Sequence, residues 1–163
     1  MIISKTPLRI SFFGGGTDLP TFYKKNNYGA VVSSSINKFL YVTLKKQNSL
    51  FEEKYRLNYY LTEHVDDINK IQHPVIKECF KFMNIDEHLY VSTIADAPSS
   101  TGLGSSSSFC VGLLNALYKF KGISVSKQKL AEEASYIEIN KLNLSLGKQD
   151  HYCAVYGGLN FIK

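Results

Sequence analysis

The chain has 163 residues, of which 44% are hydrophobic and 20% charged, and this composition is typical of one globular domain. The formal net charge is +5, but the basic residues are scattered, which excludes the dense basic stretch of a nucleic-acid-binding segment. A site that attracts anionic substrates explains the positive balance better. No apolar run approaches the length of a membrane span, and the start lacks the hydrophobic region of a signal peptide, so we expect a cytoplasmic protein without a membrane partner.

The first predicted element is a strand over residues 2–11, where apolar and β-branched side chains are frequent. It leads into three successive glycines, residues 14–16, which are followed by Thr17 and Asp18. Successive glycines indicate a backbone that turns sharply or approaches a ligand closely. A plain turn is the alternative interpretation of these residues.

The middle of the chain has the apolar spacing of short helices and strands. In chain order we expect a helix over residues 21–28, strands over 30–36 and 39–45 joined by a hairpin around Asn37 and Lys38, a strand over 55–60, and a helix over 74–83. The polar connector over residues 61–72 contains His64 among acidic neighbours. It has no second histidine at ligand spacing, which argues against a metal site there.

A glycine- and serine-rich loop stands between a predicted strand over residues 89–95 and a helix whose apolar residues begin at Phe109. This arrangement places residues 104–107 at a helix start, where unpaired backbone N–H groups and the helix dipole attract an anion. Glycines let such a backbone close tightly around a phosphate. A flexible connection with a serine cap is the alternative, because the loop has neither the Walker A pattern nor the Gly-x-Gly-x-x-Gly pattern.

The last third of the chain predicts a helix that begins after an N-cap at Ser126 and ends at about residue 140, with Glu138 directly after an apolar position. Beyond it we expect a loop that carries Lys148, Asp150 and His151, and then a turn and a closing strand over residues 157–162. Taken alone, an acid beside a lysine and a histidine indicates a surface ion cluster.

Three segments together resemble the GHMP kinases, a superfamily that includes galactokinase, homoserine kinase, mevalonate kinase and phosphomevalonate kinase. Residues 7–18, PLRISFFGGGTD, are similar to the first motif of its sugar-kinase members, and residues 98–107, PSSTGLGSSS, are similar to its phosphate-binding motif. Glu138 and Asp150, separated by 12 positions, are similar to the family's magnesium ligand and catalytic base. The resemblance implies an α+β fold like domain 2 of ribosomal protein S5, in which a mixed sheet is backed by helices.

The resemblance also implies ATP and Mg²⁺ as cofactors and a role for each site residue. The nucleotide is expected on the loop residues Pro98, Gly102, Leu103, Gly104, Ser105, Ser106 and Ser107. Ser106 and Glu138 are expected to hold Mg²⁺, and Asp150 is expected to be the catalytic base. Arg9 is expected to help electrostatically, with Lys148 ranked below it. The sugar is expected at Gly15, Gly16, Thr17 and Asp18.

Within the family, the motifs are most similar to members that phosphorylate the anomeric hydroxyl of a heptose 7-phosphate. The implied partners are therefore a phosphorylated sugar and ATP. Fucose kinase-type members share much of the pattern, and His151 stands where the sugar-kinase branch has glutamine, so other sugar 1-kinases stay open as alternatives.

GHMP kinases are about twice as long as this chain, and their second domain carries a third glycine-rich motif that we do not find here. We therefore expect residues 1–163 to form the N-terminal, ATP-binding domain of such a kinase, with its C-terminal domain missing or supplied by a separate chain. A non-catalytic module that binds a sugar or a nucleotide is the alternative. The presence of Arg9, Ser106, Glu138 and Asp150 together favours the kinase.

Overall fold

A computed structural model describes residues 1–48 and 50–163, and in it the helices are packed against a mixed β-sheet. The strands of this described part are β1 (Ile2–Phe13), β2 (Val31–Lys46), β3 (Tyr55–Asn58), β4 (Thr62–Val65), β5 (Leu89–Ala95) and β6 (Leu159–Ile162). They follow the order β1-β2-β5-β3-β4, and β6 pairs with β2. The β3–β5 pairing is parallel and the others are antiparallel, so the sheet is mixed as predicted.

The helices are α1 (Pro20–Asn26), α2 (Pro74–Phe82), α3 (Ser105–Phe120), α4 (Lys127–Tyr136) and α5 (Gln149–Tyr156). Short 3-10 segments cover Gly15–Asp18 and Ile68–Lys70, and a π-helical segment, Ile137–Lys141, continues α4. None of the helices in the described part of the chain has the length and apolarity to cross a bilayer.

The core lies between the sheet and α3, which contacts both β1 and β2. Apolar side chains that face each other there are fully or almost fully buried, among them Leu8, Val42, Leu44, Val91, Leu113 and Leu117. Gly112 lets α3 approach the sheet closely, since a Cβ at this position would lie 2.7 Å from the hydroxyl oxygen of Thr6. This packing holds α3 against β1 and β2, and it confirms the predicted α+β class with helices behind a mixed sheet.

The predicted hairpin around Asn37 and Lys38 is wrong, because β2 is one continuous strand. The β1–β2 register passes from the pair Pro7 and Phe39 to the pair Arg9 and Ser35, so β2 has extra residues opposite β1 at this point. The chain accommodates them as a β-bulge and continues in the same direction. A polar pair in a strand signals a turn in the sequence, but pairing on both sides of the bulge keeps the strand intact.

Two further elements differ from the prediction. Residues 61–72, expected as a polar connector, contain β4, and this strand includes Glu63, which is buried and hydrogen-bonded. Residues 149–156, expected as part of a loop and turn, form α5, whose buried face includes His151, Cys153 and Ala154. In both places a polar side chain is buried against hydrogen-bond partners that lie outside its own element, and a polar sequence alone does not reveal such burial.

Candidate active site

The loop between β5 and α3 is held against β1 by Arg9. The backbone N–H of Arg9 donates to the carbonyl of Leu103 at 3.0 Å, and Arg9 Nη1 donates to the carbonyl of Gly102 at 2.6 Å. Gly102 and Gly104 both have φ of +72°, a conformation that is strained for residues with a side chain. The loop therefore turns tightly into Ser105, the first residue of α3, and presents the unpaired N–H groups of that helix start.

The carboxylate of Glu138 lies beside the first turn of α3. Ser106 Oγ donates to Glu138 Oε1 at 2.6 Å, Ser107 Oγ donates to Oε2 at 2.7 Å, and His151 Nε2 lies 2.7 Å from Oε2. Glu138 has no exposed surface, and it belongs to the π-helical segment, a type of irregularity that is frequent at functional sites. Burial raises the pKa of Glu138, but its contacts with His151 and both serines lower it by more, so the net pKa lies below the ordinary value.

Asp150 forms a two-bond ion pair with Arg9 beside the same loop. Arg9 Nε donates to Asp150 Oδ1 at 2.7 Å and Arg9 Nη2 donates to Oδ2 at 2.8 Å. A Cβ at Gly104 would lie 3.3 Å from both Asp150 Oδ2 and Arg9 Cγ, so the ion pair touches the end of the loop. Asp150 was expected on a loop, and it lies instead in the first turn of α5, which fixes its direction.

The first glycine-rich motif is joined to the start of α5. Asp18 Oδ2 accepts a hydrogen bond from the backbone N–H of Gln149 at 2.8 Å, and Gln149 Nε2 donates to the carbonyl of Gly15 at 3.1 Å. The hydroxyl of Thr17 donates to the carbonyl of Gly14 and accepts from the N–H of Ala30, so it holds the motif's own backbone. These contacts place the motif beside the helix turn that carries Asp150.

Lys148 has a different environment from the Arg9–Asp150 pair. It lines a cavity of about 510 Å³ together with Asp18, Tyr23 and Tyr152. Arg9 and Asp150 are not among the described residues that line this cavity. The structure therefore groups Lys148 with the expected sugar residues, and it brings Arg9, Asp150, Ser106 and Glu138 together with the loop.

The sequence-based interpretation missed the part that His151 plays. This residue was noted only as a departure from the sugar-kinase pattern, yet it is completely buried and contacts Glu138. Its spacing of three positions from Ala154 marks the buried face of α5 and is the signal that could have indicated an inward-facing histidine.

The donor atoms at Ser106 and Glu138 fit Mg²⁺. A hydroxyl and a carboxylate are hard oxygen donors, and Mg²⁺ in proteins is commonly held by one or two such groups together with phosphate oxygens. Within residues 1–48 and 50–163, no group of three His, Cys, Asp or Glu side chains could hold a metal ion alone. The hydroxyl and the carboxylate would leave the other coordination positions to phosphate oxygens and water, which suits a magnesium ion bound together with a nucleotide.

Comparison with known proteins identifies relatives of the whole chain. The D-glycero-alpha-D-manno-heptose 7-phosphate kinase of Campylobacter jejuni is 29% identical over an alignment of 175 residues. This alignment covers 99% of this chain and 50% of that protein. The mevalonate kinase of Saccharolobus solfataricus is 25% identical over 166 residues, with 98% of this chain and 50% of that protein covered. The chain thus spans about half the length of these curated relatives.

A solved structure shows the same fold. The D-glycero-D-manno-heptose 1-phosphate kinase from Bacteroides thetaiotaomicron superposes with a TM-score of 0.87 at 27% identity, covering 99% of this chain and 55% of that one. In addition, residues 69–158 match the family described as GHMP kinases N terminal domain. This match includes the loop, the start of α3, Glu138 and Asp150, and from it we conclude that the chain belongs to the GHMP kinase family.

Proposed function

We propose that residues 1–163 are the N-terminal, ATP-binding domain of a sugar kinase, and that a C-terminal domain completes the enzyme. The reaction transfers the γ-phosphoryl group of ATP to the anomeric hydroxyl of D-glycero-D-manno-heptose 7-phosphate, a step towards GDP-heptose for surface polysaccharide such as capsule or lipopolysaccharide. One observation carries the proposal: the Asp150 carboxylate lies against Gly104, at the end of the expected phosphate-binding loop. An acceptor hydroxyl at Asp150 would therefore be next to a phosphate at the start of α3.

The loop and the first turn of α3 bind the nucleotide in this proposal. The loop residues from Pro98 to Ser107 surround the β- and γ-phosphates, and the N–H groups of the helix start donate to their oxygens. Ser106 and Glu138 would hold Mg²⁺, which when bound would neutralise charge on the phosphate oxygens. Glu138 suits this task because its net pKa is lowered, which favours the charged carboxylate.

Asp150 and Arg9 act on the acceptor side. Asp150 orients the anomeric hydroxyl and accepts its proton, and Arg9 holds the carboxylate through two hydrogen bonds while it offsets negative charge on the moving group. Lys148 ranks below Arg9 as a helper, because it faces the cavity that Asp18 also lines.

The acceptor sugar contacts the first glycine-rich motif in this proposal. Asp18 already accepts from Gln149 through Oδ2, so a sugar hydroxyl would contact its other oxygen, Oδ1. Gly15, Gly16 and Thr17 form the backbone on which Asp18 is held. A phosphorylated heptose is supported by the names of the two heptose kinases similar to this chain and by its net charge of +5.

The test is a coupled assay of ADP release with the protein expressed from its own gene, and with the 163-residue chain in parallel. We expect release with D-glycero-D-manno-heptose 7-phosphate at a kcat/KM well above that for fucose or mevalonate. Faster release with fucose would identify a fucose kinase-type enzyme instead. Nucleotide binding without phosphoryl transfer to any of the three acceptors would indicate a non-catalytic binding module.

A further inference from the structure

His151 is a completely buried histidine whose ring nitrogen contacts the expected metal-holding carboxylate. Its Nε2 atom lies 2.7 Å from Glu138 Oε2, and neither side chain has exposed surface. An ionised carboxylate only accepts hydrogen bonds, so Nε2 carries the hydrogen in this contact. His151 Nδ1 is also buried, and it has no hydrogen-bond partner in the described part of the chain. The one polar contact of this imidazole is therefore directed at Glu138.

The two carboxylate oxygens of Glu138 have different hydrogen-bond partners. Oε2 is held from the interior by His151 and by Ser107, whose side chain is almost fully buried. Oε1 accepts from Ser106, which is exposed. A glutamate side chain has several rotatable bonds. Binding a cation would cost conformational entropy unless neighbouring groups already hold this side chain in place. Two interior donors on Oε2 thus fix the direction of Oε1.

Helix α5 carries both this anchor and the expected base. Asp150 and His151 are consecutive, yet Asp150 pairs with Arg9 on β1 whereas His151 contacts the π-helical segment. The expected base and the residue that holds Glu138 therefore lie on one helical turn. A displacement of that turn would change the base and the carboxylate together.

We propose that His151 is a positioning residue that fixes Glu138 for the metal–nucleotide complex. This inference rests on the proposed function, since it assigns Glu138 to the divalent cation. His151 itself touches neither the cation nor the acceptor. It sets the affinity for the cation by holding Oε2, so that Oε1 stays beside Ser106 Oγ at the first turn of α3.

Two variants separate the hydrogen bond from the volume of the ring. In His151→Gln, the terminal amide nitrogen can occupy the place of Nε2 and donate to Glu138. In His151→Asn, the shorter side chain leaves that place empty. Mn²⁺ binding, measured by electron paramagnetic resonance with saturating β,γ-imido-ATP, reports the cation site. We expect about a tenfold or larger loss of Mn²⁺ affinity in His151→Asn and a loss of no more than about threefold in His151→Gln.

A purely structural role would give a different result. Binding of β,γ-imido-ATP without divalent cation and the unfolding midpoint are measured for the same variants. We expect the cation-free nucleotide affinity to stay within about twofold of the unaltered protein in both, since the N–H groups of α3 do not depend on Glu138. Equal losses of Mn²⁺ affinity in the two variants, or parallel losses of Mn²⁺ and cation-free nucleotide, would overturn the proposal.

The unaltered protein gives a measurement that does not depend on whether the variants fold. The ring nitrogen and proton signals of His151 are followed by nuclear magnetic resonance while Mg²⁺ and β,γ-imido-ATP are added. We expect the Nε2–H signal to shift when the complex forms, and signals that do not change would contradict the inference. If the unaltered protein binds neither nucleotide nor Mn²⁺, the proposed function fails as well. If it binds both and His151→Asn keeps the Mn²⁺ affinity, only the inference about His151 fails.

Discussion

Asp18 occupies the space that a side chain at Gly147 would need. A Cβ on Gly147 would collide with Oδ2 and Cγ of Asp18 and would lie 2.8 Å from its Cβ. The same Oδ2 accepts a hydrogen bond from the N–H of Gln149, at the start of α5. Gly147 thus allows the first glycine-rich motif to close on the helix turn that carries Asp150.

We expect Gly147→Ala to expel the Asp18 carboxylate from its position. The hydrogen bond to Gln149 would be lost and the contact would be overpacked, so the free energy of unfolding should fall by about 1–3 kcal/mol. Denaturant unfolding measures this change. The control is Gly16→Ala, because a Cβ at position 16 would meet nothing within 4 Å, and its effect should stay within about 0.5 kcal/mol. Equal effects of the two substitutions would show that the contact with Asp18 is not tight.

Asp150→Asn should separate phosphoryl transfer from nucleotide binding. The amide cannot accept the acceptor's proton and cannot reproduce the two-bond ion pair with Arg9, so kcat should fall by about 10²–10⁴-fold. The dissociation constant of the magnesium nucleotide should change little, because Ser106 and Glu138 keep their contact. ADP release and nucleotide titration give the two values. The control is Asp86→Asn, which alters an exposed ion pair with Lys54. A parallel loss of kcat and of nucleotide affinity in Asp150→Asn would argue against a role of Asp150 as base.

The elements defined by local signals were predicted well. Strand β5 has the predicted bounds, α3 starts within the predicted residues 104–107, and Ser126 caps α4 by accepting from the N–H of Lys129 at 3.2 Å. In each case the decisive interaction lies within a few residues along the chain. Alternation, helix periodicity and capping are patterns of that range.

Interactions between distant residues explain what the sequence could not predict. The bulge that keeps β2 continuous depends on its register with β1, and the burial of His151 depends on Glu138, 13 positions away. The Arg9–Asp150 pair spans 141 positions, so no periodicity could have joined these two residues. Only the family resemblance suggested their proximity, and the structure supplied the two hydrogen bonds.

Ser106 and Ser107 each donate one hydrogen bond to Glu138, but they should respond differently to replacement by alanine. Ser106 is partly exposed and is the expected cation ligand, so Ser106→Ala should raise the Mg²⁺ concentration for half-maximal activity by about tenfold. Ser107 is buried, so Ser107→Ala should lower the free energy of unfolding by about 1–3 kcal/mol with a smaller change in the Mg²⁺ requirement. A Mg²⁺ titration and an unfolding curve for each variant test this contrast. An unchanged titration in Ser106→Ala would remove this hydroxyl from the expected ligands.

Glu63 is a buried carboxylate remote in the chain from the site residues. It accepts hydrogen bonds from the hydroxyl of Tyr59 at 2.6 Å and from the N–H groups of Gln72 and His73 at 2.6 and 3.1 Å. Burial raises the pKa of Glu63, but these hydrogen bonds lower it by more, so the net pKa lies below the ordinary value of 4.5. The unfolded chain therefore binds this proton more readily than the folded one. The stabilisation is complete above the unfolded pKa and is lost as the pH falls through the folded pKa.

Glu63→Gln should remove this acid-sensitive part of the stability. At neutral pH the free energy of unfolding should fall by about 1–3 kcal/mol, because the amide keeps one acceptor oxygen and places an NH2 group where the other oxygen accepted a hydrogen bond. Between about pH 5 and pH 3 the variant should lose stability less steeply than the unaltered protein, because the titrating group is gone. Unfolding curves across this pH range measure both effects, and Glu52→Gln, at an exposed position, should change stability by less than about 0.5 kcal/mol. An equally steep acid decline in Glu63→Gln would mean that other groups cause it.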